Sequence, residues 1–130
     1  MNRGEFLRNM FGGIALSLVP KIEAKTIRKK QQLLQCFVAG FRYYNGPQLL
    51  NKMKIGDTIK LVREPNNKYD NKAIALYFQN NKIGFIPQMD NQVICNMMDA
   101  NLLELQAEIS YVNPKKDTWE QVEIIVNYLR

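Results

Sequence analysis

From Cys36 onward, apolar residues return mostly at every second position, in short runs that each stop at a turn signal. A period of two puts alternate side chains on opposite faces of an extended chain, so this region is committed to short, half-buried strands. Cys36-Phe37-Val38-Ala39-Gly40-Phe41 is β-rich and breaks at Asn45-Gly46-Pro47. Thr58–Arg63 alternates after Gly56-Asp57, while Ala73–Phe78 and Lys82–Ile86 flank Gln79-Asn80-Asn81 as the arms of a hairpin. Leu103–Ile109 alternates again. After the turn at Asn113–Asp117, a closing strand runs from Trp119 to Leu129 with Val122, Ile124 and Val126 on one face. Two segments break the period. Pro47–Met53 suits one or two helical turns with Pro at the first position, and Gln88–Asn101 predicts a helix with Met89, Val93, Met97 and Ala100 on one side. About six short strands with a helix between the fourth and fifth favour a mainly β (α+β) domain closed as a small barrel, which removes open edges. The element order argues against a parallel α/β sheet.

Charge needs partitioning before it is interpreted. The 130 residues carry 18 Lys+Arg against 12 Asp+Glu, a net of +6. Residues 1–36 hold seven basic and two acidic residues, whereas residues 37–130 hold eleven and ten, so nearly all the excess lies outside the strand-forming part. Apolar residues at 46% exclude disorder along the whole chain. The absence of His removes His-based triads and most metal sites. Cys36 and Cys95 lack CxxC spacing and cannot complete a zinc site alone. With no clustered metal carboxylates and no phosphate-cradling glycine loop, a non-enzyme without metal or cofactor is expected.

Residues 1–20 read as a separate leader, residues 21–35 as a Lys-rich connector, and residues 36–130 as the domain. A basic start, the apolar run Met10–Val19 and Pro20 follow the outline of an export signal. Asn2-Arg3-Gly4-Glu5-Phe6-Leu7 resembles a twin-arginine signal with Gly4 in place of the second arginine. Glu23 in Ile22-Glu23-Ala24 makes a poor cleavage site. Two readings stay open, contact with membrane or export machinery through residues 1–20 and a short helix that docks on the domain. Arg28-Lys29-Lys30 is either a solvated linker or a basic arm for phosphate or anionic lipid. An exported chain would let Cys36 and Cys95 pair, while a cytoplasmic one would keep them as buried thiols.

Three stretches carry the chemistry: Gly40-Phe41-Arg42-Tyr43-Tyr44, Arg63-Glu64-Pro65-Asn66-Asn67-Lys68-Tyr69-Asp70-Asn71-Lys72-Ala73-Ile74, and Ile83-Gly84-Phe85-Ile86-Pro87. Aromatic faces stack on any base, so a Tyr cluster with one Arg suits single strands without sequence choice. A carboxylate beside phosphates is unfavourable unless it meets a donor, and a DNA terminus offers one in its sugar hydroxyl. The blander alternative makes Pro65-Asn66-Asn67 a turn, with Asp70 bonding loop amides over a packed Tyr69. Tyr43 and Tyr44 would face opposite ways on a regular strand.

In these motifs, in their order and spacing, the chain from about Phe37 to Arg130 resembles the HIRAN domain. That family is found in Swi/Snf-type translocases that remodel replication forks, and alone or with other domains in bacteria. The resemblance implies a six-stranded OB-like/SH3-like barrel with two helices that captures the 3′ end of single-stranded DNA in repair or fork processing. Arg42 would bind a phosphate, Tyr43 and Tyr69 would flank the terminal bases with Tyr44 beside them, and Asp70 would accept from the 3′-hydroxyl. Asn67 would hold the loop or reach the nucleotide. Phe85 would either approach DNA or fill the core, Gln88 stands near a position that is basic in DNA-binding relatives, and Trp119 is either a further stacking face or core. ATP hydrolysis would belong to a separate motor domain, so a helicase, translocase or nuclease would act in trans, in the cytoplasm. The competing reading is an exported or membrane-tethered barrel that binds a non-DNA ligand or a protein.

Overall fold

The computed structural model describes residues 29–101 and 104–130. The leader over residues 1–20 and most of the connector lie outside them. Six strands, β1 (Lys30–Phe37), β2 (Thr58–Glu64), β3 (Ala73–Phe78), β4 (Asn81–Phe85), β5 (Leu105–Val112) and β6 (Val122–Leu129), form one antiparallel sheet in the order β1-β6-β5-β2-β3-β4. β2 lies opposite β5 only at Thr58 and Ile59, then turns to β3 from Lys60 to Glu64. That change of partner bends the sheet on itself.

The two ends meet just beyond β1. The Ala39 amide donates to the Phe85 carbonyl (2.8 Å), and the Phe85 amide returns the bond to Ala39 (2.9 Å). Gly84 permits this approach: its φ is 149°, and a Cβ there would strike the Ala39 carbonyl oxygen and sit 2.6 Å from Val38 Cγ1. The interior is filled by Val38, Phe41, Ile59, Ile74, Leu76, Phe78, Ile83, Ile109 and Ile124, each 2% exposed or less. Between β1 and β2 lie a 3-10 turn at Phe41–Tyr43, the short helix α1 (Gly46–Leu49) with Pro47 in its first turn, and a 3-10 turn at Leu50–Lys52. Helix α2 (Gln92–Ala100) precedes β5 and ends at Asn101 in the left-handed conformation (φ 55°), as a C-cap does.

The mainly β barrel with two helices stands, and the boundaries move. β1 begins at Lys30 rather than Cys36, because it pairs with β6 along its whole length and its polar side chains stay in water. Lys30 belongs to the barrel, where its ammonium meets Glu108 at 3.0 Å. The strand also stops sooner than Phe41, since Gly40 turns left-handed (φ 72°) and starts the 3-10 turn. Gln79 and Asn80, at φ 49° and 68°, make a two-residue hairpin loop, so Asn81 joins β4.

The predicted helix breaks into a 3-10 turn at Gln88–Asp90 and then α2, and it docks by another face. Met89 and Val93 are 88% and 61% exposed, while Asn91, Ile94 and Cys95 are buried. That stripe also has helical spacing, but it begins with a polar residue, which hides it in the sequence. Trp119 lies in a 3-10 turn (Thr118–Glu120) and is 63% exposed, so it is not a core residue. Both cysteines are buried free thiols.

Candidate nucleic-acid interface

The loop between β2 and β3 is organised from within. The Asn67 amide donates to the Glu64 carbonyl (3.1 Å), closing a turn with Pro65 at its second position. Asn67 Oδ1 then accepts from the amides of Tyr69 (2.9 Å) and Asp70 (3.1 Å), and its Nδ2 donates to Glu64 Oε1 (3.0 Å). Asp70 Oδ1 accepts from the Lys72 amide (2.9 Å), and Asp70 Oδ2 accepts from Nδ2 of the buried Asn91 (2.8 Å). Arg63 fixes the far foot of the loop. It donates to the carbonyls of Ala73 (2.8 Å) and Asn71 (3.1 Å) while holding Asp99 of α2 through Nε (2.8 Å) and Nη2 (3.1 Å). This scaffold leaves the Tyr69 ring standing out at 84% exposure.

Across from the loop, β4 builds an aromatic wall. Its register against β3 shifts, with Leu76 opposite Gly84 and Tyr77 opposite Lys82, so Ile83 is bulged. Strict alternation would send Lys82 and Phe85 to opposite faces; the bulge brings them to one. The Asn45 amide donates to the Lys82 carbonyl (3.0 Å), tacking the Phe41–Tyr44 segment onto β4. Tyr44 meets Phe85 edge-on, with ring centroids 5.7 Å apart. The Lys82 ammonium lies 4.4 Å from the Phe85 centroid and 5.0 Å from that of Tyr44, and 2.7 Å from Glu64 Oε2. Burial alone would raise the Glu64 pKa; hydrogen bonds from Lys82 and Asn67 outweigh it and hold the carboxyl below its ordinary value.

Between loop and wall lies a cleft of about 370 Å³. Five of the seven expected residues line it, namely Tyr44, Asn67, Tyr69, Asp70 and Phe85, together with Lys82, Ile86 and Gln88. Arg42 and Tyr43 do not. The 3-10 turn sends them to a neighbouring groove of about 220 Å³ with Trp119, where the Arg42 guanidinium lies 5.3 Å from the centroid of the 75% exposed Tyr43. Tyr43 and Tyr44 therefore serve two different depressions. Asn67 acts within its own loop, and Phe85 is half-buried and lines the cleft. Lys82, Asn91 and Arg63 were not singled out as functional in the sequence. Arg63 opens the stretch that holds the Glu-Pro-Asn-Asn motif and Lys82 adjoins Ile83-Gly84-Phe85-Ile86-Pro87, a signal that Asn91 lacks.

Known proteins resemble this chain in sequence and in fold. Helicase-like transcription factor from Oryctolagus cuniculus is 33% identical over 79 residues, 60% of this chain and 7% of that protein. The Mus musculus protein of the same name is 33% identical over 75 residues, 57% of this chain and again 7% of its own length. The chain thus spans a small fraction of the curated relatives it matches. Among solved structures, a protein from Lactobacillus plantarum superposes with a TM-score of 0.68 at 24% identity, covering 80% of this chain and 99% of that one. The HIRAN domain of human HLTF superposes with a TM-score of 0.62 at 21% identity, covering 77% and 78%. At these identities the likeness speaks to the fold. The model of the HIRAN domain matches residues 31–127, from the second residue of β1 into β6, and the chain belongs to the HIRAN domain family.

Proposed function

We propose that this domain is a non-catalytic module that binds single-stranded DNA and captures it at the 3′-hydroxyl end. The observation that carries the reading is the pairing of an exposed Tyr69 ring with an adjacent, internally braced Asp70 carboxylate in one aromatic cleft. Each carboxylate oxygen of Asp70 accepts one bond within the described residues and keeps acceptor capacity for a hydroxyl. Midway along a strand the sugar-phosphate backbone of DNA has no such donor, and Asp70 would repel its phosphates. A base stacked on Tyr69 against the Tyr44–Phe85 wall would present its sugar to Asp70. The preceding nucleotides would lie along the groove of Tyr43 and Trp119, with Arg42 on a phosphate.

Because the strand-forming part carries little net charge, stacking supplies most of the affinity, at about 1–3 kcal/mol per stacked base. Binding is therefore expected in the micromolar range or weaker, with a shallow salt dependence. Such a module would deliver ends to a helicase, translocase or nuclease acting in trans, in repair or fork processing in the cytoplasm. The test compares one labelled oligonucleotide ending in 3′-hydroxyl with the same strand ending in 3′-phosphate. Tighter binding of the hydroxyl end is expected; equal binding, or none, refutes the reading.

A further inference from the structure

The cation that a DNA end meets inside the cleft is not Arg42, which lines the neighbouring groove. Among the described residues that line the cleft, the cations are Lys68 and Lys82. Lys68 is exposed, 5.8 Å from the Tyr69 centroid. Lys82 is held. Its side chain is 23% exposed, its ammonium rests over two rings, and one carboxylate oxygen of Glu64 takes one of its N–H groups. An ammonium has three donors and aromatic faces consume none, so the others stay available to a ligand.

Chemistry makes that availability matter. A terminal nucleotide whose 3′-hydroxyl meets Asp70 carries its own 5′ phosphate one sugar away. Two negative groups so close repel unless a cation lies between or beside them. We infer that Lys82 binds this last internucleotide phosphate, and that Glu64 parks the ammonium until the phosphate arrives. The inference rests on the 3′-end reading above and adds a residue and a linkage to it. Glu64 also holds Asn67, which caps the amides of Tyr69 and Asp70, so the same carboxylate serves the cation and the loop.

The experiment is a cycle between Lys82 and one linkage, using the full chain. Oligonucleotides with a 3′-hydroxyl carry either natural phosphates or a neutral methylphosphonate at the last linkage only. Lys82→Met keeps an apolar stem on the rings and removes the charge. Wild type should bind the natural strand about tenfold better than the neutralised one, as expected for loss of one charge-assisted bond. Lys82→Met should bind both alike, with a salt slope smaller by about 0.7 and an intact preference for hydroxyl over phosphate ends. Lys82→Arg should restore the slope. Glu64→Gln keeps an acceptor for Asn67 and frees Lys82, so it should bind the natural strand more tightly, a gain that misfolding cannot produce.

Should the two losses in Lys82→Met simply multiply, or its slope match wild type, the assignment of Lys82 is overturned while the hydroxyl preference of wild type leaves the 3′-end reading standing. Should wild type bind neither strand, the 3′-end reading falls and the assignment with it.

Discussion

Replacing Gly84 by Ala tests whether the ring of strands closes as described. At φ 149° an L side chain is strained, by about 1–3 kcal/mol. The added Cβ would also strike the Ala39 carbonyl oxygen, a backbone atom that cannot rotate away. Relief requires opening the Ala39–Phe85 pair, whose two hydrogen bonds are worth about 0.5–1.5 kcal/mol each. The loss is then about 4 kcal/mol, against about 5–15 kcal/mol for the stability of a whole domain. For a domain of roughly this size 1 kcal/mol moves Tm by about 4–8 °C, so Gly84→Ala should lower it by about 15–30 °C. Thermal unfolding followed by circular dichroism measures it. Gly56→Ala is the control, because Gly56 has φ 95° but nothing within 4 Å of a built Cβ. It incurs the strain alone and should cost about 1–3 kcal/mol. A Gly84→Ala protein melting within about 5 °C of wild type, or no less stable than Gly56→Ala, refutes the argument.

Tyr69→Ala should weaken oligonucleotide binding about 5- to 150-fold by fluorescence anisotropy, the range for one stacked base, and barely move Tm, since the ring is 84% exposed; a large Tm drop would mean that the ring supports the fold. Burial, with Asp90 and Glu123 nearby, pushes the Cys36 thiol up to about 12, so its alkylation at neutral pH should wait on unfolding. Rapid labelling of the native protein would contradict that. Glu64 and Asp99 titrate below their ordinary values when folded, Glu64 against its own burial through Lys82 and Asn67, Asp99 through Arg63. The unfolded chain therefore binds more protons just below about pH 4.5, and their stabilisation is complete above the unfolded values and lost as pH falls through the folded ones. Urea midpoints should fall with acidification in that window and fall less steeply in Glu64→Gln; an unchanged slope would sink the assignment.

What the sequence disclosed was whatever local chemistry decides. β2 begins by alternating, β3 is a continuous apolar run and Pro65-Asn66-Asn67 closes a turn, so each could be placed without its neighbours. The rest depended on partners far along the chain. Lys30–Gln35 is extended because β6 runs beside it, not because its glutamines favour strands. Lys82 faces the cleft because of the bulge at Ile83, and a bulge exists only in relation to the opposing strand. Arg42 and Tyr43 part from Tyr44 at a 3-10 turn that Gly40 initiates, although the three read as one motif. The buried stripe of α2 begins with Asn91, whose side chain is satisfied by Asp70, and that pairing is invisible until the loop is folded.

The meeting of Ala39 and Phe85 has a consequence for how the domain would respond to its ligand. Among the described residues that isolated bridge, with the Asn45–Lys82 bond beside it, joins the two ends of the sheet, and both Ala39 and Phe85 line the cleft. A DNA end lodged between Tyr69 and Phe85 would lie across the joint and act as a clasp on it. Ligand at about 100 times its Kd adds about 2.7 kcal/mol to any opening that expels it. Amide exchange at Ala39 and Phe85 would then slow about a hundredfold, even if the joint opens without the rest of the barrel unfolding. Occupancy of the cleft could thus be read from the barrel itself, by deuterium uptake at two amides.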